Sequence, residues 1–566
     1  MRTVLFRHRW AVLPALAALT LTPLVALAQT VAPSQITPPT LRPEKQPGAS
    51  VSVPPTQSLE APAGSDRLST SVGKVVVEGG FPEMTAADAQ AATSLEGRTV
   101  TVAQIYQVAA TLEGAYASAG FVLARVVVPP QDLVNGGKVR LVVIDGYVES
   151  VDTQALPGRA RRSVAASLGK LVGRKHVRMA EIERRLLVAA TVPGLKLRST
   201  LVRGSSEGGT VLVIDGKQQL VSGSAGVDNY LPSSLGNSEL NASVALNSAL
   251  GLGEQVYVSG ATGVDLRRAF EGNDWIRILG GGAVVPIGGD GLTLNPEYTS
   301  SVTRPKAAAG VPESTGYFER TAVRASYPLV LRRDQQLLLQ VGFEHVDEHL
   351  LANGFATDLY RDDYHVARFG GDWSRSLVSG QSFELNGTYA KGVSGRTQQE
   401  ATASDVPLSR QFAEPEFNKL DLDFHFNQPL PQGLQAAFVA RGQTSFGRAL
   451  MRAEQFSLDG LDGVSGYPTG TFTTDAGVTL RTELSRSFSV SYVALSPYVF
   501  AAGGRGYDTK PTAVEQRNIN VGAAGVGMRG AALFQSVFAV ELARQFSDIT
   551  GLHEEFRVDA SIGMRF

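Results

Sequence analysis

The chain has 566 residues, enough for several domains, with a net charge of -1 and no cysteine. That balance points to neither nucleic acid nor a charged membrane surface as partner, and the missing thiols exclude disulfides and thiolate metal sites. Sixty glycines and a mean hydropathy near zero suit a β-rich chain whose apolar and polar positions cancel.

Arg2, Arg7 and Arg9 precede an apolar stretch from Trp10 to Ala28 that closes on Ala26-Leu27-Ala28. A basic head, an apolar middle and a small-x-small end predict a secretory signal peptide over 1–28. An uncleaved anchor fits less well, because no basic stop-transfer flank follows. Later stretches fall short of the ~20 apolar residues of a spanning helix, so a mature chain in a membrane would cross it as strands. Residues 29–72 hold Pro33, Pro38, Pro39, Pro43, Pro47, Pro54, Pro55 and Pro62 among Thr, Ser, Gln and Ala. Such a stretch reads as an extended, mobile linker in which a stable helix is not expected.

A first small module is read over 73–146. Val75-Val76-Val77 opens a strand, and Thr101-Val102-Ala103-Gln104 fits a capping box. Ile105, Val108, Ala109, Leu112 and Tyr116 then recur at helical spacing, and Gly120 is placed to end the helix. Strands over 122–128 and 138–144 follow, split by Pro129-Pro130 and Asn135-Gly136-Gly137. A second module, 147–217, repeats the order: a strand near 147–151, helices around 163–171 and 179–190, and strands over 195–201 and 210–214. Two β-α-α-β-β units of roughly seventy residues can each fold alone.

From 218 to 566 helical spacing disappears and short alternating runs recur between Gly, Asp, Asn and Pro clusters. The last run puts Phe556, Val558, Ala560, Ile562, Met564 and Phe566 on one face, and Glu555, Arg557, Asp559, Ser561, Gly563 and Arg565 on the other. About sixteen such runs of ~10 residues fit tilted spanning strands, with apolar faces to lipid and polar faces to a wet lumen. A soluble sandwich rarely carries so many strands. The expected fold is two small α+β modules followed by a 16-stranded antiparallel transmembrane β-barrel, both of whose ends lie on the side of the modules.

Four sets of strings, in order along the chain, carry a family resemblance. Gly120-Phe121-Val122-Leu123-Ala124-Arg125, Pro130-Gln131-Asp132-Leu133 and Gly137-Lys138-Val139-Arg140-Leu141 form the first. Glu183-Arg184-Arg185-Leu186-Leu187 with Val192-Pro193-Gly194-Leu195 is the second. Gly226-Val227-Asp228-Asn229-Tyr230 with Gly251-Leu252-Gly253-Glu254 is the third. The fourth is Gln455-Phe456-Ser457-Leu458 followed by Val464-Ser465-Gly466-Tyr467. With these, the chain resembles the outer-membrane transporters of two-partner secretion, which export filamentous haemagglutinins and haemolysins.

The resemblance implies two POTRA (polypeptide-transport-associated) modules. They would capture an unfolded exoprotein in the periplasm, and the barrel would pass it to the cell surface without ATP. It places family motif positions at Gly120, Phe121, Pro130, Gln131, Leu133, Glu183, Arg184, Leu186, Pro193 and Gly194. Implied partners are a large secreted client, the barrel-assembly machinery, periplasmic chaperones and outer-membrane lipid, with the transporter a monomer and no cofactor. Phe566 resembles the terminal aromatic that the assembly machinery recognises. An outer-membrane assembly factor is the neighbouring reading, although that class usually carries more modules. A passive porin would need none.

The resemblance also implies a long loop, about 446–471, folded into the barrel, with a departure at its tip. The family's Val-Arg-Gly-aromatic string has serine at Ser465 here. The arginine's aspartate partner, in a Phe-x-Asp-x-Gly pattern, matches Phe500, Ala502 and Gly504, so the carboxylate is missing as well. The loop is expected to fold inward through neutral contacts of Gly466 and Tyr467.

Several groupings look chemical without being so. His345, Glu348 and His349 fit H-x-x-E-H, which needs a helix, whereas the string follows an alternating run and is expected in a loop or strand end. Asp421, Asp423 and His425 fall on the predicted lumen face, where carboxylates tune a pore's field. With no phosphate loop, dinucleotide fingerprint or nucleophile elbow, neither a catalytic nor a metal site is expected, and the chain does not read as an enzyme.

Overall fold

Alternation at a period of two sends one face of a strand to lipid and the other inward, and closing the sheet leaves no unpaired edge. Sixteen strands between Val221 and Arg565 do this, each antiparallel to its chain neighbour, the last returning to the first. The computed structural model describes residues 31–41, 49–51 and 61–566, apart from 308, 309, 462, 513, 514, 533, 534 and 550–554. The predicted signal peptide lies outside the described residues. All the alternating runs become strands. The twelfth is broken, Ala476–Arg486 and Phe488–Val490 both pairing with the thirteenth, Val493–Tyr507.

The seventh strand, Gln335–Ala352, shows the inversion of a membrane barrel: Leu339, Val341 and Phe343 are exposed outward, while Glu344 and Glu348 are buried within. The sixth to eighth strands (Ser314–Leu331, Gln335–Ala352, Thr357–Ser376) run 18, 18 and 20 residues, the longest of the barrel. The first, Val221–Asp228, is short. Its seam with the last strand, Phe556–Arg565, rests on Gly223 and Phe566, whose backbone N–H groups donate to each other's carbonyls at 2.9 and 3.0 Å. Asn229 extends the seam, donating to the Val558 carbonyl at 2.8 Å and accepting from the Ala560 N–H at 2.9 Å. Glycine is favoured at 223, because a Cβ would stand 2.7 Å from the Ser243 carbonyl oxygen and 2.5 Å from the Phe566 ring.

The first module is a strand (Ser69–Glu78), two helices (Thr85–Leu95 and Val102–Ser118) with a short strand between them (Thr99–Thr101), and two further strands (Arg125–Val127 and Gly137–Ile144). The Thr101 box forms as expected, Thr101 Oγ1 accepting from Gln104 N–H at 3.2 Å and Gln104 Oε1 from Thr101 N–H at 2.8 Å. Gly120 follows the helix at φ +98°. The strand expected over 122–128 shrinks to Arg125–Val127, because Phe121 belongs to the first module's core and Leu123 to the second's. A segment serving two cores turns instead of extending. The first helix, Thr85–Leu95, left little trace in the sequence because its core-facing residues include the small Ala91. In the second module the strand Leu195–Arg203 lies antiparallel to Gly209–Gln218, which is parallel to Tyr147–Asp152, under helices Gly158–Leu168 and Met179–Ala190.

The linker reading needs correction. Residues 31–41 lie packed in the lumen, with a short helix at Pro33–Ile36, and Ala49–Val51 form a strand parallel to Leu195–Arg203. Proline does not forbid the helix, because Pro33 stands at its first position, where the missing N–H has no partner to lose. The first module's opening strand also begins at Ser69, inside the stretch read as linker.

Candidate translocation lumen and its inward loop

Between the eleventh strand, Leu434–Thr444, and the twelfth, the chain folds back into the barrel. Phe456–Ser457 and Thr473–Thr474 pair as a stem. Asp459 fastens the turn, accepting from Ser457 Oγ at 2.7 Å and from the N–H groups of Gly470 and Phe472 at 3.0 and 2.7 Å. Leu458, Val464, Tyr467 and Phe472 pack on Phe500, Val521 and Ala523 of the wall. That burial, not a single bond, holds most of the loop inside.

At the tip, Val464 and Ser465 are buried and Gly466 takes φ +91°. Gly466 N–H donates to Asp559 at 3.1 Å, and the Tyr467 hydroxyl donates to the Phe546 carbonyl at 2.9 Å. Gln545 donates to the Gly466 carbonyl. Ser465 Oγ accepts from the guanidinium of Arg481, which pairs with Glu541 at 2.7 Å and Glu483 at 3.5 Å and lies 4.0 Å over the Phe500 ring. Gly504 lets the loop approach, because a Cβ there would stand 3.1 Å from Thr479 and 3.2 Å from Val464. Arg481 is the cross-strand partner of Ala502. The loop therefore meets the strand bearing Phe500, Ala502 and Gly504, but the neutral contacts expected for it do not describe the tip. Ser465 and Gly466 both meet charged groups, supplied by inward positions of neighbouring strands.

A ladder of ion pairs crosses the opposite wall and ends on the inward loop at Glu454. Arg324 joins Glu297 (3.2 Å) to Glu344 (2.9 Å), Arg368 joins Glu344 (2.9 Å) to Glu454 (2.7 Å), and Lys419 reaches Glu454 at 3.1 Å. Alternating signs leave no buried charge alone, which would cost several kcal/mol, about 3–5 when one partner is removed. The segment 31–41 lies along this ladder. Ser34 reaches Glu348, Gln35 reaches Thr473 at 2.9 Å, Arg320 donates to the Pro38 carbonyl at 2.9 Å, and Thr40 donates to Glu297 at 2.8 Å. Val31 and Ile36 pack with Leu231, Leu235, Ile276 and Ile278. The loop and this segment both lie within the lumen.

The module motif positions divide between packing and docking. Phe121 and Leu186 are buried, and Leu133 packs against the first core. Gln131 clips the backbone of Arg140, accepting its N–H at 2.8 Å and donating to its carbonyl at 3.0 Å, beside exposed Pro130. Gly194 takes φ +72°, and the Pro193 carbonyl accepts from Gln218 at 3.4 Å. Glu183 and Arg184 dock the second module on the barrel. Glu183 pairs with Arg333 at 2.8 Å, and Arg184 donates to the carbonyls of Pro328 and Leu329 at 2.8 and 3.2 Å. Nearby, Asp290 in a barrel turn pairs with both Lys170 and Arg185, whose hydrogen bonds hold its carboxyl down to about 2.

The H-x-x-E-H string lies within the seventh strand rather than in a loop, because that strand runs on to Ala352. His345 and His349 share its outer face, with Asp363 and Asp347 as their partners at 3.1 and 3.2 Å, while Glu348 points inward. The strand thus parts the three residues a metal would need together. Asp423 pairs with Arg441 at 3.0 Å and Asp421 with Lys419 at 3.4 Å, as members of the lumen wall.

Residues 208–530 match the family described as haemolysin secretion/activation protein ShlB/FhaC/HecB, and residues 71–146 match the ShlB-type POTRA domain. The chain belongs to this haemolysin secretion/activation family. Curated relatives are the outer membrane transporters CdiB of Escherichia coli, 24% identical over 79% of this chain and 74% of the relative, and of Dickeya dadantii, 24% over 77% and 76%. Among solved structures, CdiB from Escherichia coli aligns with a TM-score of 0.68 at 20% identity, over 95% of this chain and 94% of that one. CdiB from Acinetobacter baumannii aligns at 0.61 and 14% identity, over 88% and 90%. BamA from Haemophilus ducreyi lacking POTRA domains 1–3 aligns at 0.51 and 12%, over 88% and 100%. As a family member the chain is an outer-membrane transporter of two-partner secretion, with its POTRA modules in the periplasm.

Sequence reading missed Arg481, Glu541, the inward placement of Glu348, and Asp290. The first three carry one usable signal, a charge at an inward position of an alternating run. Asp290, in a turn, carries none.

Proposed function

We propose that this transporter captures an unfolded secreted exoprotein at the edge of its second POTRA module and passes it through the barrel without ATP. The observation that carries this reading is the strand Ala49–Val51 on the edge of Leu195–Arg203, with Ala49 opposite Leu197 and Val51 opposite Ser199. An edge that takes one extended segment by backbone pairing can take another, with little demand on sequence. Exposed edges are normally blunted, and an edge kept open to pairing is an edge in use. The docking of Glu183, Arg184 and Arg185 keeps that edge beside the barrel mouth. The client then replaces the segment 31–41 and the inward loop in the lumen, and its folding outside draws it on. The protein acts as a monomer in lipid, after delivery by periplasmic chaperones and insertion by the assembly machinery through Phe566; it has no catalytic role.

Deleting the gene tests this. Loss of one large surface protein supports the reading. A general loss of outer-membrane proteins makes the chain an assembly factor, and no change in either makes it a passive pore.

A further inference from the structure

We infer that Arg481 is the wall-side anchor of the inward loop, its guanidinium reaching from the barrel to a neutral loop tip at Ser465. The contact is built on both sides. Arg481 is buried, stands over the Phe500 ring at 4.0 Å and is oriented by Glu541 and Glu483. Two further groups complete its setting, the Tyr498 hydroxyl donating to Glu541 at 2.8 Å and Arg529 pairing with Glu483 at 2.7 Å. Ala502, directly across the strand pair, leaves room for the side chain where a larger residue would crowd it.

The consequence lies in the balance of charge. Arg481, Arg529, Glu483 and Glu541 cancel one another on the wall, so the cluster stays paired when the loop leaves. What the loop gives up there is the bond from Arg481 to the Ser465 hydroxyl, the Gly466 contacts with Asp559 and Gln545, and the bond of the Tyr467 hydroxyl to the Phe546 carbonyl, while Asp559 keeps Arg557 as its partner. At the tip this anchor positions the loop yet releases it without stranding an ion, whereas nearer the loop's start Glu454 is held by Arg368 and Lys419, a contact in which loop and wall carry opposite charges.

The test reads loop position and not secretion, so it stands apart from client capture. The chain has no cysteine, which makes Leu461→Cys a single reporter beside the tip. Its labelling by a membrane-impermeant maleimide is followed in intact cells carrying the full-length protein, with barrel assembly checked by heat-modifiable gel mobility. With Arg481 as the anchor, labelling slows several-fold in Ser465→Asp and quickens several-fold in Ser465→Ala. It quickens by tenfold or more in Ser465→Arg, where two guanidinium groups meet. The transposition of Ser465→Arg with Arg481→Ser returns labelling toward the parent rate. The opposite order, slow with arginine and fast with aspartate, would show that Glu541 and Asp559 set the field at the tip, and the inference fails. Equal rates in all four also overturn it. Should Arg481→Ser not assemble, the three substitutions at 465 still decide.

Discussion

The Ser34 hydroxyl donates to Glu348, its oxygen 2.8 and 2.9 Å from the two carboxylate oxygens, and the Ser34 N–H reaches the same group at 3.2 Å. These contacts join the chain's first described turn to the inner face of the seventh barrel strand. A hydrogen bond to a charged group contributes about 1.5–3 kcal/mol, and 1.4 kcal/mol is a factor of ten. Ser34→Ala therefore raises the resting open probability of the protein in planar bilayers about tenfold. Glu348→Gln acts in the same direction. Unchanged conductance in both would show that residues 31–41 do not obstruct the pore.

Docking of the second module depends on Asp290. Its carboxyl is held down to about 2 from 3.8, so the attraction to Lys170 and Arg185 is complete above pH 4 and is lost as pH falls from 3.8 toward 2. All three groups keep some solvent access, so salt weakens the contact too. Asp290→Asn at neutral pH is expected to speed hydrogen exchange in the helix Met179–Ala190, and raised salt to do the same in the parent protein. Protection that ignores both would assign docking to Glu183 and Arg184 instead.

The sequence showed the barrel better than its contents. Each spanning strand must repeat its alternation along its whole length, so even the short Val221–Asp228 left a legible run. The His345–His349 stretch misled because the lipid-facing pattern fades where the longest strands go on, and polar residues there occupy both faces. The lumen contents rest on pairs far apart in sequence, such as Thr40 with Glu297 and Ser465 with Arg481, which no local period encodes. Proline, read as a sign of a loose linker, instead starts a helix at Pro33 and offers carbonyls to Arg320 and Arg324 at Pro38 and Pro39.

The strand Ala49–Val51 sits where a client strand is proposed to pair, and it competes with one. Consecutive N–H groups of a strand point to opposite sides, so one of the two at Ser50 and Val51 faces Leu195–Arg203. Ser50→Pro with Val51→Pro removes both donors and frees the edge. A labelled synthetic peptide of residues 46–54 should then bind the double variant at least tenfold more tightly than the parent, whose tethered copy acts at an effective concentration of ~1 mM. Equal affinities would mean that this edge is not where extended chains pair.

Arg410 clasps three outer segments, and the clasp is pH-dependent in a direction that can be worked out. Arg410, from the loop before the tenth strand, pairs with Asp475 at the end of the inward loop and with Asp508 and Glu515, at 3.5 and 3.4 Å, beyond the thirteenth strand. Asp508 also accepts from the Asp475 N–H at 3.2 Å and from Gln455 at 3.3 Å. Burial pushes the Asp508 carboxyl up to about 7 from 3.8, with Arg410 opposing and Asp475 and Glu515 assisting. Between these values the folded protein keeps a proton that the unfolded chain has lost, so this group's contribution to stability declines as pH rises from 4 to 7 and is level above. Asp508→Asn cannot titrate. Its thermal midpoint relative to the parent should climb across pH 4 to 7 and then stay constant, while Asp475→Asn, which unpairs Arg410 at its tightest contact, lowers the midpoint throughout. A difference between Asp508→Asn and the parent that does not change with pH would show that Asp508 is charged over the whole range and that the clasp is insensitive to pH.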